Sequence, residues 1–145
     1  MPPDIQIEND HPSLMLDAVV LENQIRHCLT AEGFSAGYLG IILTDHDTVL
    51  ALNRDFLDHD YLTDVLSFPL QSSDVIAHNG IVEGEIYVDL DTAQERAAEF
   101  EATFTQEATR YVLHGLLHLL GYDDATPQEK QQMHTLEDRY LGNNT

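Results

Sequence analysis

Hydrophobic positions along the chain change period several times, and each change marks an element. In residues 4–8 (DIQIE) apolar and polar residues alternate as in a short strand, which NDHPS breaks. Leu14, Leu16, Val19, Val20, Ile25, Cys28 and Leu29 then recur at three- and four-residue steps. That spacing predicts a helix with Ser13 as its cap and Gly33 near its end. YLGIILT (38–44) reads as a buried strand. Asp45 or Asp47 is placed to cap a helix whose apolar face holds Val49, Leu50, Leu52, Phe56 and Leu57. DVLSFPL (64–70) reads as a strand ended by Pro69, and SSDVIAHNG (72–80) as a polar loop. IVEGEIYVDL (81–90) alternates well and is expected to pair with the preceding strand as a hairpin. Three helices follow: an acidic one over 92–102, an apolar one over 105–120, and one over 127–141 with Pro127 in its first turn.

Strands and helices mix without strict βαβ alternation, and two strands are locally paired. The expectation is an α+β fold, a small mixed β-sheet covered by helices, organised as one domain over residues 1–145.

Charge narrows the partners. Twenty-six acidic residues face six basic ones, a net charge of -20, so the surface should repel phosphate backbones and anionic lipid unless a basic patch or a bound cation intervenes. Hydrophobic residues make up 43% of the chain, enough for a core, so disorder is not expected. Cys28 is the single cysteine, which excludes an internal disulfide. MPPDIQIENDHP lacks the basic and apolar regions of a secretory signal, and no apolar run approaches the roughly 18 residues of a membrane span. A cytoplasmic protein is expected, with no membrane partner and no DNA partner.

The chemistry concentrates in YVLHGLLHLLGYDD, residues 111–124. His114 and His118 are four apart in an otherwise apolar run, so on a helix their imidazoles share one face and can converge on one point. Gly121 supplies the left-handed residue that stops the helix and turns the chain back, which brings Asp123 or Asp124 within reach of that point. Two neutral imidazoles and one carboxylate form a ligand set for Zn²⁺ with the fourth position open, the pattern of catalytic rather than structural zinc. Burying two imidazoles without partners would cost on the order of 1–3 kcal/mol each, and a shared cation removes that cost. A metal site at the C-terminal end of a central helix is therefore expected. The spacing also matches the metal helix of metzincin proteases, but those place a Glu after the first His as general base, and here Gly115 stands there.

The motifs together resemble the YbeY family of bacterial metal-dependent endoribonucleases. Its signature, His-Gly-x-Leu-His-Leu-x-Gly-Tyr-Asp-His, agrees with HGLLHLLGYDD (114–124) at every place but the last. LNRDFLDHDYLTDVLSFP (52–69) and GEIYV (84–88) resemble two further family blocks, in the right order, and the resemblance covers roughly residues 38–141. It implies zinc held by His114, His118 and Asp124, with another divalent ion possible, and a single-strand-specific endoribonuclease acting in ribosomal RNA maturation and ribosome quality control. Single-stranded rRNA and ribosome components are the implied partners. Asp124 replaces the usual His, which makes the site harder and less positive. Leu57 stands where the family commonly has an Arg, and Arg54 lies one helical turn earlier. Arg54, Asp64 and Glu85 are the expected catalytic helpers, and Asp123 a residue that orients the ligand beside it. The acidic balance keeps an alternative in view: a metalloprotein of this fold that binds basic ribosomal partners without cutting RNA. A small metallopeptidase is disfavoured by Gly115.

Overall fold

The structure, a computed structural model, describes residues 4–57, 65–99 and 101–142. Its order is β1 (Ile5–Asn9), α1 (Ala18–Glu32), β2 (Ser35–Thr44), α2 (His46–Leu57), β3 (Val65–Pro69), α3 (Ser73–Asn79), β4 (Ile81–Asp89), α4 (Leu90–Glu99), α5 (Phe104–Leu119) and α6 (Pro127–Gly142). The four strands form one sheet in the order β1-β2-β4-β3. β1, β2 and β4 are parallel, and β3 joins β4 antiparallel, so the sheet is mixed, as the α+β expectation had it.

One face of that sheet carries the core. Ile5, Leu39, Ile41, Leu43, Val82, Ile86 and Val88 alternate onto it and are buried against Leu21, Ile25 and Leu29 of α1 and Leu113, Leu116 and Leu117 of α5. The other face takes the intervening residues. Tyr38, Phe68, Glu83, Glu85 and Tyr87 are half-buried there and Glu8 is exposed, giving an acidic and aromatic surface.

Helix α5 runs antiparallel to β4 and lies unusually close to it. A Cβ at Gly115 would stand 2.7 Å from Ile86 Cγ2 and 3.0 Å from both Ser67 Oγ and Val65 Cγ2. A Cβ at Gly84 would meet the Leu119 side chain at 2.9 Å. Ser67 donates its hydroxyl to the Gly115 carbonyl at 2.9 Å, which fastens the helix to β3.

Three local expectations change. Helix α1 starts at Ala18, with Asp17 rather than Ser13 as its cap; the Asp17 carboxylate accepts from the amides of Val19 and Val20. Residues 13–16 stay out of the helix because other side chains claim their amides: His11 Nδ1 accepts from Ser13 and Leu14, and the Asn9 amide bonds both ends of Leu16. The supposed loop 72–80 is instead α3, capped by Ser72, closed by left-handed Gly80 and anchored by buried Ile76, so β3 and β4 pair across a helix rather than a tight turn. Helix α4 ends at Glu99 because Glu101 turns left-handed (φ 55°) and the Ala102 amide bonds back to Ala97. Asp45, not Asp47, caps α2 by accepting from the Thr48 amide. The side chains of Phe56 and Leu57 lie outside the described residues.

At the carboxyl ends of β2 and β4 a second His–Asp group pins α2. His46 donates from Nδ1 to fully buried Asp89 at 2.6 Å, and Asp89 also accepts from the Thr92 amide and hydroxyl. The Asp89 hydrogen bond raises the His46 pKa against the opposing effect of burial, with Asp89, Asp47 and Asp91 adding attraction. A raised histidine pKa stabilises the fold fully below the unfolded value, about 6.5, and the gain fades as pH rises through the folded value. Denaturant titrations of His46→Gln and wild type should therefore differ most below about pH 6.5 and converge above the folded pKa. A gap that widens toward alkaline pH would contradict this role.

Candidate metal centre

Helix α5 begins with a full capping box, Thr103 and Gln106 each bonding the other's backbone amide, and then turns nine of its sixteen residues into the core. Past the first turn that burial leaves one narrow stripe, Arg110, His114 and His118, and the first two of these meet α6. Gly121 (φ 109°) ends the run, and the Gly121 and Tyr122 amides bond back to the carbonyls of His118 and Leu117. The chain then delivers Asp124, not exposed Asp123, to the imidazoles.

His114 Nε2 and His118 Nε2 lie 3.1 Å apart. Asp124 Oδ2 stands 3.3 Å from the first and 3.5 Å from the second. Donors at the corners of a tetrahedron with zinc-type bonds of about 2.0–2.2 Å are separated by roughly 3.3–3.6 Å. The triangle therefore fits a small divalent ion with one corner left over. The three side chains are a quarter to two-fifths exposed, so solvent and a substrate can reach that corner.

Behind His114 stands a group the sequence reading did not single out. Glu137 of α6, nearly buried, accepts from His114 Nδ1 at 2.6 Å. With its proton held on Nδ1, His114 presents the Nε2 lone pair toward the other donors, the carboxylate–histidine arrangement common behind metal ligands. Glu137 is itself paired with Arg110 at 3.0 Å, and Arg110 reaches Asp138 at 2.6 Å. Burial pulls the Arg110 pKa down, but the pairs with Asp138 and Glu137 outweigh it and raise it, so the guanidinium stays charged. A cavity of about 170 Å³ opens here, lined by Val65, Arg110, Tyr111, His114 and Glu137. One signal for Glu137 was available: it is the lone acid within the buried stripe Met133, Leu136 and Tyr140.

The expected helpers fare differently. Glu85 is directed to the opposite sheet face, because Gly84 and Ile86 on either side of it meet α5 and side chains alternate along a strand. Arg54 is exposed on α2. Asp64 lies outside the described residues. Ser67 is occupied by the Gly115 carbonyl, and Cys28 is wholly buried with its thiol pushed up to about 12 by burial and by Glu32, so neither is a nucleophile.

A mixed sheet backed by a helix that carries two histidines, with a carboxylate returned by a glycine turn and one coordination position open, defines a metal-dependent hydrolase scaffold. Comparison with known proteins gives the family. The profile of the endoribonuclease YbeY family matches residues 6–144, so the chain belongs to that family, whose members are hydrolytic nucleases. An endoribonuclease YbeY of Salinibacter ruber is 53% identical over 148 aligned positions, spanning 97% of this chain and 94% of that one. One from Chlorobium phaeovibrioides is 40% identical over 137 positions, 94% of this chain and 88% of the other. The solution structure of a Thermotoga maritima protein superposes with a TM-score of 0.61 at 30% identity, covering 94% of this chain and 86% of that one. Among the described residues no helix is long and apolar enough to cross a membrane.

Proposed function

We propose that this protein is a zinc-dependent endoribonuclease that cuts single-stranded ribosomal RNA during maturation and quality control in the cytoplasm. The observation that carries the reading is the 3.1–3.5 Å triangle of His114, His118 and Asp124 in a chain of an endoribonuclease family. An ion held there supplies Lewis acidity toward a phosphoryl group and positive charge that a chain of net charge -20 otherwise lacks. Two nitrogens and one oxygen in a near-tetrahedral triangle favour zinc, while the carboxylate arm admits harder divalent ions.

The chain's own residues do the positioning. Glu137 keeps His114 in one tautomer and orientation. Arg110, one helical turn before His114 and lining the same cavity, offers a guanidinium to the phosphate next to the one being cut, a role we give it in preference to exposed Arg54. Binding of single-stranded RNA by Arg110→Ala should weaken, with the slope of log K against log salt shallower by about 0.7 for one lost phosphate contact. Arg110→Lys should keep most of that slope, and an unchanged slope in the alanine variant removes Arg110 from the interface.

The reading itself is tested with zinc-loaded protein and rRNA fragments. Cleavage of single-stranded but not duplex fragments, stopped by chelator and restored by zinc, is expected; intact RNA overturns it. The acidic and aromatic sheet face with Glu8, Glu83 and Glu85 beside Tyr38 and Tyr87 supports a second reading, docking of basic ribosomal proteins. Salt-sensitive capture of such a protein without any RNA cleavage would favour that reading.

A further inference from the structure

One carboxylate outside the donor set is tied to two of the three arms of the metal centre. Glu32 is the last residue of α1, where a negative charge opposes the helix dipole, so α1 itself gains nothing from it. Its Oε1 accepts from the Tyr122 phenol at 2.5 Å, and its Oε2 accepts from the Tyr140 phenol. Tyr122 stands two residues before Asp124. Tyr140, almost wholly buried on α6, stands one helical turn after Glu137, the residue that holds His114.

We propose that Glu32 is a positioning residue for the metal centre. It anchors the turn that delivers Asp124 and the helix face that orients His114. The proposal rests on the metal-centre reading and extends it to a residue on a different helix. The physical reason is preorganisation. From Gly121 to Thr126 the chain is neither helix nor strand, and among the described residues its first half is fixed by two amide bonds back to α5 and by the Tyr122 phenol. A loop already ordered when the ion arrives spends none of the binding free energy on being ordered. Phenol-to-carboxylate hydrogen bonds are charge-assisted and short, which suits them to hold a hinge in place. Because α1, the 121–124 turn and α6 meet at this one carboxylate, loosening it frees two donors together, Asp124 through Tyr122 and His114 through Tyr140 and Glu137.

The test is the zinc dissociation constant, measured by competition with a chromophoric chelator, at a temperature where circular dichroism shows each metal-free variant folded. Glu32→Ala and Tyr122→Phe should bind zinc about 10- to 100-fold more weakly than wild type, the range typical of groups behind metal ligands. Glu32→Gln keeps an acceptor for one phenol and should fall between. Asp4→Asn, which breaks the Arg26 ion pair elsewhere on α1, should bind as wild type does. Tyr122→Phe removes a single oxygen, so it remains informative even where Glu32→Ala folds poorly. Dissociation constants for Glu32→Ala and Tyr122→Phe within twofold of a zinc-binding wild type overturn the positioning role alone. A wild type that binds no zinc overturns the metal centre, and this proposal with it.

Discussion

His118→Ala is expected to leave a folded protein that no longer holds an ion and no longer cuts RNA. Its imidazole is about three-tenths exposed and supplies one of three donors, so truncation removes chemistry rather than core. What remains is one nitrogen and one oxygen 3.3 Å apart, a pair that cannot enclose an ion. Loss of a group merely behind a ligand costs about 10–100-fold in metal affinity, and loss of a donor itself must exceed that. Zinc at 100 times its dissociation constant stabilises a binding protein by about 2.7 kcal/mol. In a chain of this size that is roughly 5–10 °C of melting temperature. Thermal scans with and without zinc should show that rise in wild type and none in His118→Ala, while the metal-free proteins melt close together. An equal rise in both would place the ion elsewhere. Asp124→His, by contrast, keeps three donors and should keep the ion.

Gly115→Val should destabilise the fold by crowding the contact between α5 and the sheet. In an exposed helix, replacing glycine by alanine gains roughly 1 kcal/mol of helix stability. Here the added carbon would sit 2.7 Å from Ile86 Cγ2 and 3.0 Å from Val65 Cγ2 and Ser67 Oγ, and two of those neighbours are β-branched side chains held in the sheet. Overpacking of that kind costs about 1–3 kcal/mol, so even alanine should come out neutral to destabilising, and valine worse by a further ~2 kcal/mol. The helix can relieve the clash only by lifting off β3 and β4, which moves His114 and breaks the Ser67 bond. Urea unfolding of both variants checks this; a valine variant as stable as wild type would mean that α5 does not lie where the structure puts it. The same crowding explains why a protease-type Glu has no room at 115, since that position faces the sheet rather than the ion.

Much of the fold was legible in one dimension because the elements obey local rules. The alternation in β1 and β4, the apolar runs of β2 and α5 and the proline at the start of α6 all survived contact with the tertiary structure. The misreadings are instructive because each had a stronger competitor nearby. Ser13 lost the helix start to Asp17 once Asn9 and His11 captured the amides between them, and those two reach across from outside the helix. The α3 segment looked polar because it buries a single residue, Ile76, while Ser72 and Gly80 supplied caps that an apolar count does not register.

In the candidate site the division is sharper. Spacing alone determined the convergence of His114 and His118, since a helix places residues four apart on one face, and it determined that a glycine turn would return an acid to them. Which of two adjacent aspartates arrives depends on how the turn is anchored, and the Tyr122 phenol in that turn is held by Glu32 of α1, ninety residues away in the chain. Glu137 enters the site only because α6 packs beside α5, and Glu85 leaves it only because Gly84 and Ile86 meet the helix. Local periodicity is a property of neighbours along the chain, whereas the tautomer of a ligand and the charge behind it belong to side chains that meet only after the core has closed.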